Sequence, residues 1–293
     1  MADGYCRFLF ESTPVRGGWT HLDQAYREVL AQHDYPPILR RFLGEMIAAT
    51  ALLGINLKFL GSLVVQLQSS GPLTLLVVEC RGGTAFRAIG KWTGQLPNDA
   101  DLLSLAPDGR CVITLDPKDG GEMYQGIVAL EHGSIAKVLE HYMHTSEQLA
   151  TRLWLAADGE RAAGLMLQKL PGGDDEDVNA HSDEDWNRTT ILASTLTDGE
   201  LLGLEVQPLL DRLFAEEPVR LFPEQPLRFE CGCSEARVAK ALLLLGRDEI
   251  LDVLDEQDGR IEVACEFCNR KYVFDRAGAM ALFAPEPPTP TVH

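Results

Sequence analysis

Apolar positions along the first 170 residues fall into one long block and several short runs. Pro36 to Leu57 is dense in Leu, Ala, Met and Ile after a Tyr35-Pro36-Pro37 entry, which predicts a buried helix. Ser62–Gln68, Leu73–Cys80 and Thr84–Gly90 are short apolar runs separated by Ser69-Ser70-Gly71-Pro72 and Arg81-Gly82-Gly83, the pattern of a strand meander. Cys111–Asp116 and Glu122–Leu130 flank Pro117-Lys118-Asp119-Gly120-Gly121, a hairpin signal. Ser134 is placed to cap a helix running to about Leu149. Arg152–Ala157 and Ala162–Leu170 flank Asp158-Gly159 as a further hairpin. The expected fold class is α+β, with an N-terminal mixed sheet-and-helix domain.

The pattern breaks at Pro171-Gly172-Gly173. Asp174, Asp175, Glu176, Asp177, Asp183, Glu184 and Asp185 follow, and we expect an acidic, solvated loop there. Short helical segments are predicted over about Glu184–Leu196, Asp198–Leu204 and Pro208–Glu216, with a second boundary at Pro223 to Pro226. Beyond it, Phe229–Cys233, helices over Ser234–Leu245 and Arg247–Gln257, and a hairpin around Ile261–Phe274 form a last module. The expected organisation is an α+β domain over 1–177, a helical linker over 178–226, a C-terminal zinc-binding domain over 227–283 and a disordered tail over 284–293. Isolated helices shorter than about 12–15 residues are marginal in water, so the linker should depend on docking. Its apolar stripes, Leu209, Leu210, Leu213 and Phe214 in one helix and Trp186, Ala193 and Leu196 in another, are what would dock.

Composition narrows the function. Of 293 residues 45% are apolar, enough for a sizeable core, while a net charge of −18 disfavours both nucleic acid and anionic membranes as partners. Phe59 to Val78 is uncharged, but Gln66, Gln68, Ser69, Ser70, Gly71 and Pro72 make it two strands and a turn rather than a membrane span. Residues 1–10 include Asp3 and lack a secretory pattern, so a cytoplasmic protein with reduced cysteines is expected.

The candidate chemistry lies near the C-terminus. Cys231-Gly232-Cys233 and Cys265-Glu266-Phe267-Cys268 are two close pairs separated by 31 residues. That arrangement matches a closed tetrahedral site in which four thiolates bind one Zn2+ per chain. A module of about 55 residues has a thin core and commonly needs a metal. Four protein ligands leave no open position for a hydrolytic water. Spacing alone leaves two readings open, a structural knuckle and a redox switch, because a metal-held thiolate that is accessible can be oxidised. Residues 228–293 carry eight Lys/Arg against twelve Asp/Glu, which weakens the alternative of a zinc ribbon contacting nucleic acid. Cys265-Glu266-Phe267-Cys268 falls inside a predicted hairpin rather than at a helix start, which argues against a thiol oxidoreductase.

The cysteine pairs, with Ser234 and the Tyr272-x-Phe274 that follows, resemble the C-terminal zinc domain of the 33 kDa chaperonin family of redox-regulated holdases. Gly71-Pro72-Leu73, Tyr124-Gln125-Gly126-Ile127-Val128, the Tyr142 to Gln148 segment with Thr151, and Gln168-x-Leu170-Pro171 are similar to that family's N-terminal signatures. The resemblance covers nearly the whole chain. It implies a chaperone rather than an enzyme, zinc-bound and inactive when reduced. It further implies that oxidation forms Cys231–Cys233 and Cys265–Cys268 disulfides and releases zinc. The region before the zinc domain then unfolds, the active form dimerises, and unfolding client proteins are held without ATP.

Other features suggest less. His141, His144 and Glu147 share helical spacing but read as a polar helix face. Cys6, Cys80 and Cys111 lie in apolar strand-like runs and read as small buried hydrophobes. Gly82-Gly83 lacks the Lys-Ser/Thr of a phosphate loop, and the acidic run lacks the spacing of a calcium loop.

Overall fold

The computed structural model describes residues 2–54, 61–117, 121–171 and 176–283. The end of the predicted first helix (55–57), the tip of the 117–121 turn and the expected tail lie outside them. The chain divides into two compact units, Met1–Glu230 and Cys231–His293.

The first unit is built on one buried helix between two sheets. Helix α2 (Pro37–Gly54) buries Leu39, Phe42, Leu43, Met46, Ile47, Ala49 and Leu52 on all sides, as a helix packed on both flanks must. It packs against strands of both six-stranded sheets. The first sheet runs β10-β1-β2-β9-β8, where β1 is Gly4–Phe10, β2 Val15–Leu22, β8 Thr151–Ala157, β9 Ala162–Lys169 and β10 Val219–Leu221; β11 (Gln225–Pro226) also pairs with β1. The second runs β12-β5-β4-β3-β6-β7, with β3 Gly61–Gln68, β4 Leu73–Arg81, β5 Ala85–Trp92, β6 Arg110–Pro117, β7 Tyr124–Ala129 and β12 Arg228–Phe229. Gly44 sets the helix-to-sheet distance: a Cβ there would meet the Ala157 methyl at 2.5 Å.

The predicted meander and hairpins are present. Ser134 caps α4 (Ile135–Thr145), accepting from the Lys137 N–H at 3.4 Å, but this helix stops four residues before Leu149. Gln148 takes a positive φ of 55°, and the chain turns there into β8.

The acidic stretch is not a loop throughout. From Glu176 the chain is helical to Ala193 (α5), which corrects the expectation of a solvated loop to residue 185. Acidic residues at a helix start are favoured by its dipole, and Asp183 and Asp185 pair with Lys169 and Arg188. Helices α6 (Asp198–Gly203) and α7 (Val206–Leu213) follow, α6 opened by a Thr197/Glu200 capping box. Together α5 to α7 cover the face of the first sheet opposite α2. Leu201, Leu202, Leu209, Leu210, Leu213 and Phe214 pack there with Phe8, Phe10, Val15, Trp19, Leu165 and Leu167 in a second core. Within Pro223 to Pro226, read from sequence as a boundary, Gln225 and Pro226 pair with β1, with Gly4 opposite Pro226. Residues 228–230 run parallel to β5: Arg228 N–H donates to Thr84 O and Glu230 N–H to Phe86 O, each at 2.9 Å.

The second unit holds α8 (Glu235–Leu245), α9 (Arg247–Glu256), the hairpin β13 (Arg260–Ala264) and β14 (Lys271–Asp275), and α10 (Arg276–Ala281). Its core is small: Leu242, Ile250, Leu254, Ile261, Phe274 and Ala279.

Candidate metal centre

Two turns bring the four cysteines together. Cys231 and Cys233 immediately precede α8, whose N-cap Ser234 accepts from the Arg237 N–H at 3.3 Å. The Arg237 guanidinium returns to the Gly232 carbonyl at 2.8 Å and pins the Cys-Gly-Cys turn. Cys265 and Cys268 occupy the β13–β14 turn. There the Asn269 N–H donates to Cys265 O at 2.8 Å and the Cys265 N–H to Arg270 O at 2.9 Å, with Asn269 at a φ of 51°.

All four sulfurs lie within 4.8 Å of one another, with Cys231 to Cys265 at 3.6 Å and Cys233 to Cys268 at 3.4 Å. A tetrahedron of zinc–sulfur bonds near 2.3 Å has edges of about 3.8 Å, so the donor set fits such an ion. The four cysteines can therefore hold a metal, and each is partly exposed.

The comparisons with known proteins bear on the whole chain. The Hsp33 protein family model matches residues 3–275. The chain belongs to the Hsp33 family. It is 50% identical over 287 residues to a 33 kDa chaperonin of Methylobacillus flagellatus, covering 98% of this chain and 96% of the relative. A 33 kDa chaperonin of Ectopseudomonas mendocina is 48% identical over the full length of both. The solved structure of a 33 kDa chaperonin from Thermotoga maritima shares the fold, with a TM-score of 0.82 over 96% of this chain and 97% of that one at 21% identity. Hsp33 membership makes this a chaperone, and its relatives are named as chaperonins rather than as enzymes.

The Hsp33 thiols differ in character. Burial raises the Cys233 thiol, but the Tyr272 hydroxyl, donating to its sulfur at 3.0 Å, and the neighbouring thiols outweigh this and bring it down to about 7. Cys268 is pushed up to about 12 by burial and by sharing protons with its neighbours, against the Arg270 N–H. Cys231 is raised, chiefly by burial. Such a set disposes one thiol to ionise first, and a metal then displaces the remaining protons.

His141, His144 and Glu147 do not converge. Glu147 accepts from the Tyr142 hydroxyl, and His141 stacks edge-on with His132, ring centroids 5.6 Å apart. Among the described residues no group of three or more potential ligands forms apart from the cysteines. Tyr272 entered the sequence reading only as part of a family motif. Its contact with Cys233 depends on the hairpin turn, and nothing in residue spacing signals it.

Proposed function

We propose that this Hsp33 protein is a redox-regulated, ATP-independent holdase, switched by a zinc centre at Cys231, Cys233, Cys265 and Cys268. The convergence of four partly exposed sulfurs in a module with a small core carries the reading. In the reduced protein one Zn2+ per chain holds the two turns together, and the closed thiolate set leaves no position for a reacting water. Peroxide or hypochlorous acid removes two electrons per pair, forming the Cys231–Cys233 and Cys265–Cys268 disulfides. A disulfide sulfur is no longer a thiolate ligand, so affinity for the metal is lost and the module loosens.

Covalent continuity supports transmission of this event to residues 178–226, which we assign as the metastable linker. Cys231 directly follows the 228–230 segment hydrogen-bonded to β5, so disorder at the first ligand is passed on within a residue. The second core beneath α5 to α7 is apolar, yet Trp19 Nε1 and Ser182 Oγ are buried without hydrogen-bond partners among the described residues. Each such group costs about 1–3 kcal/mol, which offsets part of the burial and keeps docking finely balanced. Undocking would bare Phe8, Phe10, Trp19, Leu165 and Leu167, an apolar surface suited to unfolding client chains. The active form is a homodimer in the cytoplasm, with neither nucleic acid nor membrane as partner. The net charge of −18 supports that exclusion, and no described helix is long and apolar enough to cross a membrane.

The test is zinc content and suppression of client aggregation, without ATP, before and after peroxide at raised temperature. Expected are one zinc and little suppression before, no zinc and strong suppression after. Equal suppression in the two states would refute the switch.

A further inference from the structure

We infer that a cavity between α4, β8 and α5 binds a phosphate-class anion, inorganic phosphate or a phosphate monoester, and that the bound anion holds α5 docked. The latching role rests on the reading above that residues 178–226 undock; the binding does not. The cavity measures about 310 Å3 and is lined by Lys137, Glu140, His141 and His144 of α4, by Arg152 of β8 and by Trp186 of α5. A volume of this size accepts a small organic ligand. Glu140 organises it. One carboxylate oxygen accepts from Lys137 Nζ at 2.8 Å and from Arg152 Nη1 at 2.9 Å, and the other takes the Leu153 N–H at 2.9 Å. This carboxylate is buried and fully engaged, and it sets two cations side by side at one oxygen. Each cation is about half exposed, and among the described residues neither has a second acidic partner.

The imidazoles add further donors. His132, which also lines the cavity, meets His141 edge-on, and His144 lies one turn further along α4. A neutral imidazole carries one N–H, and among the described residues no hydrogen bond holds any of these three rings. The cavity therefore combines one net positive charge with three uncommitted ring donors, in a chain whose net charge is −18. A cation would meet Lys137 and Arg152 and a carboxylate already engaged, so the donor set selects an anion. Hydrogen bonds from Lys and Arg to phosphate oxygens are charge-assisted. Donors converging from α4, β8 and His132 suit a tetrahedral oxyanion with several acceptor oxygens better than a planar carboxylate with two. Trp186 supplies the linkage. It belongs to α5 and packs against the second core, so an anion seated beside it touches the docked form alone and stabilises docking by mass action.

The experiment titrates the full-length, reduced, zinc-loaded protein by calorimetry with inorganic phosphate and, separately, with phenyl phosphate, against potassium chloride at equal ionic strength. A saturable one-to-one heat is expected with phosphate and none with chloride. Lys137→Gln and Arg152→Gln each leave Glu140 one cation, so the fold is kept, and each should weaken binding about tenfold or more, the worth of a hydrogen bond to a charged group. With phosphate at about ten times its dissociation constant, amide exchange across α5 should slow about tenfold, and Lys137→Gln should lose that slowing at the same concentration. Phenyl phosphate binding more tightly than phosphate, with the margin lost in Trp186→Leu, marks an ester as the occupant; equal binding marks the free ion. Indistinguishable heats with phosphate and chloride, or full affinity in both cation variants, would overturn the site. Binding that leaves exchange in α5 unchanged would overturn the latch. Oxidised, zinc-free protein in which α5 stays protected without phosphate would instead overturn the reading that this segment undocks.

Discussion

Phe214 meets Phe10 edge-on, with ring centroids 4.9 Å apart and ring planes at 81°. One ring closes α7 and the other ends β1, so the pair is a direct packing contact between the 178–226 segment and the first sheet. Phe8 joins them at 6.5 Å from Phe214. Truncating a buried Phe to Ala typically costs about 3–5 kcal/mol, which exceeds what short helices can spare. Phe214→Ala should therefore undock the segment while the cysteines remain reduced. Amide exchange across 198–221 should rise sharply, and the reduced protein should suppress client aggregation. Wild-type protection in this variant would place the activation step elsewhere.

Glu45 links pH to the same segment. It lies on α2 with Arg41 at 3.6 Å and faces Asp198 of α6. Burial pushes its carboxyl up to about 7, Asp198 pushes the same way, and Arg41 only partly opposes them. In the unfolded chain the group titrates near 4.5. Below that pH both states are protonated and the contribution to stability is complete. It falls as pH rises, because the unfolded chain ionises freely while the folded one must stay neutral or bury a charge, and the loss is complete above about 7. The loss is on the order of 3 kcal/mol. In urea titrations, Glu45→Gln should lose less stability than wild type between these pH values. Identical pH slopes would show that Glu45 is not responsible.

The cysteine assignment can fail in two ways. Cys268→Ser leaves a hydroxyl in place of a thiolate, a poor zinc ligand, so zinc stoichiometry should fall well below one and the C-terminal module should loosen. Full occupancy would exclude Cys268 as a ligand. Pairing is tested by peptide mapping after oxidation. The cross-pair distances, 3.6 Å for Cys231 to Cys265 and 3.4 Å for Cys233 to Cys268, make long-range bridges sterically accessible. Closing a short loop costs less chain entropy, so once the metal is lost and the turns relax, Cys231–Cys233 and Cys265–Cys268 should dominate. Predominant cross-pairing would contradict the assignment.

The other three thiols should be silent. Burial pushes Cys6 and Cys111 up to about 12 and Cys80 up to about 11, with the Glu224 charge adding to the effect at Cys6. At pH 8 they are neutral and enclosed, and a thiol in that state is a poor nucleophile. Native zinc-loaded protein should leave Cys6, Cys80 and Cys111 unlabelled by iodoacetamide in mass spectrometry, and denatured, metal-free protein should take up seven equivalents. Labelling of Cys80 in the native state would mean that the β4 core opens readily.

Local periodicity was enough for several parts of this protein. The apolar block before Leu57 could only be a helix buried on all sides, the Gly- and Pro-punctuated runs from Ser62 to Gly90 could only be a meander, and Ser134 and Ser234 announced helix starts. The two cysteine pairs declared a metal-type cluster because side chains two or three residues apart converge wherever the chain turns. What the tertiary structure decided depends on partners far along the chain. The acidic stretch from Glu176 is helical because α5 packs over the first sheet, and its Asp183 finds Lys169 on β9. Val219–Leu221 and Gln225–Pro226 are strands only because β1, some two hundred residues earlier, leaves an edge for them. Helix α4 ends at Thr145 because the chain must turn into β8. The Tyr272 hydroxyl reaches Cys233 only once two segments 39 residues apart are folded against each other. Sequence spacing encodes which face of an element is apolar; it carries no record of the register and docking that bring distant faces together.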